Sequence, residues 1–496
     1  MRPHRRLIRV HPPQELPMHP LIPWSVAGLL GCLPMLPAQG APAALALDGV
    51  RVVDVERGQS GTPRCVRIED GVIVRIARPG ARACRRDAVV VPSAGRYLLP
   101  GLIDMHAHLS LGPLVVRQDG DAIVMEALPD DAIAEHNAAR LVGFGVTTIR
   151  NPAGDLAAAA RYEARRSDGA LVGPESFDAG PVLNDSDVPG LATAVRTADD
   201  VRRVVAGQVE AGADWIKLYT GLSPDLLQAG IDAAHAHGRP AVAHLEDVAW
   251  TDALAMGLDG LVHLMPVSPD LLPETDAEAY RASRRPGTYP FFEWWERFDP
   301  DGPEADRLVA AFDRHRPVFD ATLVAFHAAF VQDQPGSAYL QDAERHAHPA
   351  LLANWQSFFT FALGWAPEDF ARARAVWPKI QRMAARLYAS AARMTLGTDM
   401  SNPWIAPGIS LHREMALLAE AGVPNARILR AGTADAADAL GAGERLGRVA
   451  LGHEADLLVL DGDPLVDLSQ AREPRAVVLD GRYLDRDALA ALRGEE

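Results

Sequence analysis

Six side chains with the chemistry of metal ligands are spread along this chain, each at the end of an apolar run. The first two are His106 and His108, in the stretch LLPGLIDMHAH. Residues two apart in a strand point to the same face, so both imidazoles can reach one ion. Later apolar runs end in the other four, which are Lys217, His244, His263 and Asp399. Imidazole and carboxylate groups are ligands of Zn²⁺ and related divalent ions, so the set predicts a metal site.

Eight strand-like apolar runs, alternating with helical stretches, must position these side chains. The runs are Leu98–His108, Val146–Pro152, Glu175–Val182, Asp214–Thr220, Pro240–Glu246, Gly260–Pro266, Val318–Phe326 and Met394–Met400. This alternation is typical of βα units around a parallel sheet, and eight units close into a (β/α)8 barrel. Active sites of that fold lie at the carboxyl ends of the strands. The six side chains fall there on runs one, four, five, six and eight.

The order and placement of the six side chains resemble the amidohydrolase superfamily, in particular its imidazolonepropionase-like and metal-dependent dipeptidase (prolidase-like) branch. The resemblance extends from about Leu45 to the C-terminus. It implies an α/β fold, a (β/α)8 TIM barrel with a small β-sandwich built from the N- and C-terminal flanking segments. Residues 44–97 and 441–496 would form the two parts of the sandwich, and residues 98–440 the metal-dependent hydrolase barrel.

The resemblance also implies two divalent metal ions, with zinc the expected metal. His106, His108 and Asp399 would hold one ion, and His244 and His263 the second. Lys217 stands where the superfamily has a carboxylated lysine, whose CO₂-derived carbamate bridges the two ions. A buried lysine readily loses its proton, which such a reaction requires. Each residue alone is more simply a buried structural histidine or an ion-paired lysine, but the joint pattern favours the ligand set.

The activity that follows from the resemblance is hydrolysis of a C–N amide bond, most simply in dipeptides or N-acyl amino acids. A metal-bridging hydroxide would attack the carbonyl, and Asp399 would shuttle the proton. The alternatives are a ring-opening hydrolase of cyclic amides, of the imidazolonepropionase or hydantoinase type, and a catalytically silent metal-binding barrel.

Three further residues are candidate substrate contacts. Tyr219 points to the same side of its strand as Lys217. His327 lies just past run seven, and Arg150 ends run two. A purely structural role is the alternative for each of them.

The long segment Asp270–Asp301 after run six exceeds what a plain barrel needs. Its aromatic cluster comprises Tyr289, Phe291, Phe292, Trp294 and Trp295. Loops of this length are often functional, so the segment is a candidate lid over the pocket. The alternative is a short helix that packs its aromatic side chains on the outside of the barrel.

Residues 1–43 have the layout of a secretory signal. A basic start, MRPHRRLIR, precedes the interrupted apolar stretch LIPWSVAGLLGCLPMLP and the small residues AQGAPAA. This layout predicts a periplasmic or secreted protein, with a disordered leader as the alternative. The motif LLGC at Cys32 is a loose match to a lipoprotein processing site, and Met18 could be the true start. After export Cys65 and Cys84 could pair, with two buried free thiols as the equal alternative.

Composition limits the partners. The 496 residues carry a net charge of −16, which disfavours nucleic acid and anionic membrane surfaces. The apolar stretch near the N-terminus is marginal in length and interrupted by prolines, so no stable membrane span is expected. The expected partner is a small-molecule substrate, and homo-oligomerisation stays open.

Overall fold

The computed structural model describes residues 44–119, 122–284, 291–357 and 365–495. The predicted signal or leader at residues 1–43, with Cys32 and Met18, lies outside the described residues, as does Tyr289. The described strands, numbered in chain order, are β1 (Leu45–Asp54), β2 (Gln59–Glu69), β3 (Val72–Ala77), β4 (Val89–Pro92), β5 (Tyr97–Pro100), β6 (Leu102–Asp104), β7 (Val115–Asp119), β8 (Ala122–Glu126), β9 (Val146–Asn151), β10 (Glu175–Asp178), β11 (Val182–Asn184), β12 (Ala192–Ala194), β13 (Ile216–Leu218), β14 (Ala241–Ala243), β15 (Gly260–Val262), β16 (Val318–Asp320), β17 (Arg393–Thr395), β18 (Leu457–Leu460), β19 (Ala476–Leu479) and β20 (Arg482–Leu484).

The described α-helices are α1 (Arg82–Arg85), α2 (Asp131–Gly143), α3 (Leu156–Ser167), α4 (Ala198–Glu210), α5 (Pro224–Ala236), α6 (Trp250–Ala255), α7 (Glu274–Ser283), α8 (Phe291–Arg297), α9 (Pro303–His315), α10 (Leu323–Phe330), α11 (Ala338–His346), α12 (Pro349–Ser357), α13 (Pro367–Tyr388), α14 (Ile409–Glu420), α15 (Asn425–Ala431), α16 (Ala434–Ala439) and α17 (Arg486–Arg493). In this described part of the chain, no helix is both long and apolar enough to cross a membrane.

A closed barrel of eight parallel strands forms the centre of the fold. Strands β6, β9 and β10 make one arc, and β13 to β17 make the other. Parallel bridges join the arcs at both ends, between Ala179 and Trp215 and between Ala107 and Met400. Each of the eight predicted runs supplies one of these strands, so the prediction of a TIM barrel is confirmed.

Six of the eight barrel strands contain only buried residues, as expected for parallel strands covered by helices. Ala241–Ala243 and Gly260–Val262, for example, contain only buried residues. Side-chain caps fix where the surrounding helices begin. Asp130 accepts hydrogen bonds from two backbone amides of α2, and Thr197 forms a capping box with Asp200 at the start of α4.

Strands from both flanking segments share one eight-stranded sheet. Strand β18 pairs antiparallel with β5, and β5 leads directly into the first barrel strand. At the other edge the backbone N–H of Ile73 donates to the carbonyl of His453 over 2.8 Å, so the sheet curls round its own core. That core includes Leu47, Val66 and Leu457. The domain boundaries at residues 44, 97 and 440 stay predictions.

Cys65 in β2 and Cys84 in α1 form a disulfide. Both cysteines are fully buried and pack with Ala46 of β1. The alternative of two free thiols therefore does not apply to this structure. The bond closes a loop across a sequence separation of 19 residues.

We predict that the double variant Cys65→Ser/Cys84→Ser loses about 3 kcal/mol of unfolding free energy, because the loop is no longer closed in the unfolded chain. Urea denaturation followed by circular dichroism measures the change. A reducing agent should lower the midpoint of the wild-type chain and leave that of the double variant unchanged. Equal midpoints for the wild type and the double variant, each with and without reducing agent, would contradict the prediction.

Candidate metal centre

The structure brings all six predicted ligands to one cavity of about 530 Å³. The cavity lies at the carboxyl end of the barrel strands, where each side chain stands on or just after its strand. His106 and His108 follow β6, Lys217 lies in β13, His244 follows β14, His263 follows β15 and Asp399 follows β17.

Three of the six side chains form a tight donor cluster. The Nε2 atoms of His106 and His108 each lie 3.2 Å from Oδ1 of Asp399. One donor atom from each of these three residues can be chosen so that the three atoms lie within 4.8 Å of one another. Asp399 has a left-handed backbone with φ of 64°, a conformation that costs about 1–3 kcal/mol in a non-glycine residue. A hydrogen bond of 2.8 Å from its N–H to the carbonyl of His106 holds it there.

The other three side chains adjoin this cluster. The ring of His263 lies 4.5 Å from that of His106 and 4.6 Å from that of His244, measured between centroids. Lys217 Nζ and both ring nitrogens of His244 are buried and have no hydrogen-bond partner among the described residues. Buried polar atoms without partners are costly, so this arrangement fits groups that bind an ion. The described donors therefore fit a site for a divalent cation.

Burial sets the protonation states of His244 and Lys217. It lowers the pKa of His244 to about 3, which keeps the imidazole neutral, the form that coordinates a metal. It also lowers the pKa of Lys217 to about 7, so a large share of the amine is uncharged at neutral pH.

Hydrogen bonds at the outer ring nitrogens orient the histidines. His108 Nδ1 lies 3.0 Å from the carbonyl of Ala153, and His263 Nδ1 lies 2.8 Å from the hydroxyl of Thr322. Such partners fix the ring and leave Nε2 free to face an ion.

Asp320, at the end of β16, orients His106 and was missed by the sequence reasoning. Its Oδ2 lies 2.8 Å from His106 Nδ1, and its Oδ1 accepts a hydrogen bond of 2.6 Å from Arg150 Nη2. Both partners of this ion pair are fully buried. The signal was one acidic residue, Asp320, within the predicted apolar run Val318–Phe326. Gly397 leaves room for this contact, because a Cβ atom at residue 397 would lie within 3.0 Å of side-chain atoms of both His106 and Asp320.

Two predicted substrate contacts are corrected by this geometry. Arg150 is completely buried and does not line the cavity, because its guanidinium binds Asp320 and its Nε donates to the carbonyl of Met105 over 2.8 Å. His327 also lies off the cavity wall. Its Nδ1 is 2.8 Å from the hydroxyl of Tyr339, and its ring packs 4.7 Å from that of Trp377.

Tyr219, the third predicted contact, does line the cavity. Its ring lies 4.9 Å from that of His244, and burial raises the pKa of its hydroxyl above the usual value. The hydroxyl therefore stays protonated and can donate. A substrate contact at Tyr219 remains a prediction.

The aromatic segment after run six forms a wall of the cavity. Phe291 in α8 lines the cavity and stacks on Phe326 at 4.6 Å, while Phe292, Trp294 and Trp295 are fully buried. Lys379 Nζ in α13 donates to three carbonyls at the end of α8, over 2.8 to 2.9 Å. Phe291 thus faces the cavity, whereas Phe292, Trp294 and Trp295 are buried in the hydrophobic core without lining it.

Proteins that are similar to this chain in sequence or fold include hydrolases. The sequence pattern of the Amidohydrolase family matches residues 346–484. The chain is 31% identical over 179 residues to an uncharacterized protein of Mycobacterium tuberculosis, covering 34% of this chain and 45% of that protein. An adenine deaminase of Mesorhizobium japonicum is 28% identical over 113 residues, covering 23% of this chain and 19% of that one.

Solved structures match over most of the chain. Bottromycin amidohydrolase has a TM-score of 0.67 and 26% identity, covering 91% of this chain and 89% of that one. A Xaa-Pro dipeptidase with bound methionine has a TM-score of 0.63 and 18% identity, covering 89% of this chain and 100% of that one, a likeness of fold. The predicted resemblance to the amidohydrolase superfamily is thus confirmed, in sequence over residues 346–484 and in fold over most of the chain. The match to the uncharacterized relative covers less than half of that protein's length.

We predict that Asp320→Asn weakens the binding of divalent metal about 10- to 100-fold, because His106 loses the carboxylate that orients it. Competition with a chromophoric chelator measures the affinity. Asp342→Asn is the matched control, since that carboxylate pairs with Arg413 away from the cavity. Equal affinities in the wild type and Asp320→Asn would refute the orienting role.

Proposed function

We propose that the chain is a binuclear metal-dependent hydrolase that cleaves a C–N amide bond. The observation that carries the proposal is the set of buried, unpaired nitrogens of Lys217 and His244 in the same cavity as the His106–His108–Asp399 cluster. A protein that used these residues only for folding would leave those nitrogens unsatisfied at a cost in stability.

The proposed ligand set divides between two ions. His106, His108 and Asp399 would hold one, and His244 and His263 the other. Zinc is the expected metal for imidazole and carboxylate donors. Lys217 would bridge the ions after its neutral amine takes up CO₂ and releases a proton, giving a carbamate. The lowered pKa of Lys217, about 7, supports that reaction because only the neutral amine attacks CO₂.

The residues of the chain divide the work of hydrolysis. Bound divalent ions would supply Lewis acidity for the carbonyl and lower the pKa of the attacking water. Asp399 accepts the proton of that water and delivers it to the leaving nitrogen. Tyr219 donates its hydroxyl hydrogen to a substrate oxygen.

Dipeptides and N-acyl amino acids are the proposed substrates, and a cyclic amide is the alternative. The similar fold of a Xaa-Pro dipeptidase supports the first class. A catalytically silent metal-binding barrel is the other alternative, and absence of turnover at full metal occupancy would favour it.

We predict that Asp399→Asn lowers turnover of any cleaved amide by about 10²–10⁴-fold, since the amide side chain of asparagine cannot carry the proton. Product release from zinc-loaded protein is assayed with dipeptides, N-acyl amino acids and hydantoins. Asp333→Asn, in an ion pair with Arg374 outside the cavity, is the control and should keep full turnover. Near-normal turnover by Asp399→Asn at full metal occupancy would show that Asp399 is not the shuttle.

We also propose that the protein is exported to the periplasm or secreted. The Cys65–Cys84 disulfide supports this, because disulfides persist in oxidising compartments. Expression of the whole chain in a Gram-negative host, followed by cell fractionation and intact-mass measurement, tests it. We expect periplasmic protein that has lost about the first 43 residues. Full-length protein confined to the cytosol would contradict the proposal, and a lipid adduct on Cys32 would replace it with a lipoprotein anchor.

A further inference from the structure

The cavity beyond the six ligands is lined almost wholly by apolar side chains. Helix α10 provides one wall, with Ala325, Phe326, Ala329 and Phe330 directed to the cavity. Aliphatic side chains provide another part of the lining, namely Leu111, Val182, Val188, Leu191 and Ala192. Apart from the ligands, Asn184, Tyr219 and Asn402 are the polar members among the described residues of the lining.

The aromatic wall is continuous with the metal ligands. The ring of Phe326 lies 6.2 Å from that of His263 and stacks on Phe291 at 4.6 Å. Phe330 extends the wall, 5.7 Å from Phe291 and 6.0 Å from Trp365. An amide held at the ligands would therefore place a neighbouring substituent against these rings.

The wall is held rigidly. Glu414 is fully buried, and its Oε2 accepts a hydrogen bond of 2.7 Å from the backbone N–H of Val324, at the start of α10. Just before the helix, Thr322 binds His263. The apolar wall and the ligand are thus tied to the same short stretch of chain.

Charge is missing from this wall. Among the described residues that line the cavity, Lys217 is the one lysine or arginine, and it belongs to the ligand set. A carboxylate or ammonium group pushed against the rings would be buried without a partner, which is strongly unfavourable. A large uncharged group would gain the full benefit of apolar burial there.

We propose, on the basis of the proposed amide hydrolysis, that the cavity selects substrates with an aromatic or branched aliphatic group next to the scissile amide. The free carboxylate of an N-acyl amino acid contributes little to this recognition. The volume of about 530 Å³ is of the size that holds a compact organic ligand.

The test uses N-acetyl derivatives of phenylalanine, alanine and glutamate, each with a free carboxylate and as the C-terminal carboxamide. Release of acetate by zinc-loaded protein gives kcat/KM. We expect the phenylalanine compounds to exceed the alanine compounds by about 100-fold, as for a side chain that fills an apolar pocket. Capping the carboxylate should change kcat/KM by less than about 10-fold, because the described lining has no lysine or arginine outside the ligand set that would lose a partner. A preference for glutamate, or a larger loss on capping, would overturn the proposal.

The variant Ala329→Leu tests whether the α10 wall of the cavity causes the preference for phenylalanine. The added side chain enters the cavity from α10 and should collapse the phenylalanine-to-alanine ratio by about 10-fold or more. His327→Gln, on the same helix but off the cavity wall, should keep the wild-type ratio. An unchanged ratio in Ala329→Leu would also overturn the proposal.

A binding measurement separates this proposal from the proposed function. Calorimetric titration compares the binding of phenylacetamide with that of acetamide and phenylacetate, because binding can be measured without turnover. Binding of phenylacetamide by the wild type and not by Ala329→Leu would support the apolar pocket even if no acetate is released, and only the hydrolase proposal would then fail. Acetate release that shows no preference for phenylalanine, together with no detectable binding of phenylacetamide, would support the hydrolase proposal and refute the apolar pocket.

Discussion

The buried ion pair between Asp320 and Arg150 is the interaction on which the site depends. Two fully buried charges lose their hydration, which costs several kcal/mol for each, and their mutual attraction must offset that loss. The same carboxylate orients His106, so the pair joins β9 and β16 to the first ligand. Removing either charge would leave the other buried and alone.

A second buried carboxylate fixes the first and last barrel strands to each other. Asp104 accepts a hydrogen bond of 2.7 Å from the hydroxyl of Thr398 and one of 3.0 Å from the backbone N–H of His106. Burial raises the pKa of Asp104 to about 7. The ends of β6 and β17 carry His106, His108 and Asp399, so this contact sets the separation of the three clustered ligands.

The eight strands and the six side chains that line the cavity could be predicted because a parallel barrel follows one simple rule. Each buried strand appears as an apolar run, and its carboxyl end faces the site. The observed strands β13 to β17 span three residues each, shorter than the predicted runs. The predicted runs extend beyond the ends of these strands into the loops that follow. In those loops His263 and Asp399 have a backbone with positive φ.

What the sequence could not supply was the direction of individual side chains. Arg150 and His327 lie near strand ends, as the six predicted ligands do, yet Arg150 binds Asp320 and His327 contacts Tyr339. Asp320 looked like part of an apolar run. The placement of Phe291 against Phe326 depends on an insertion whose path is set by distant contacts, including those of Lys379.

The central claim is that the six side chains form one site for two metal ions bridged through Lys217. Elemental analysis of purified protein, expressed with zinc and bicarbonate, tests it most directly when the wild type and Lys217→Ala are compared. The account predicts two ions per chain in the wild type and at most one in the variant. Fewer than two ions in the wild type, or two ions retained by Lys217→Ala without an added short-chain acid, would contradict it.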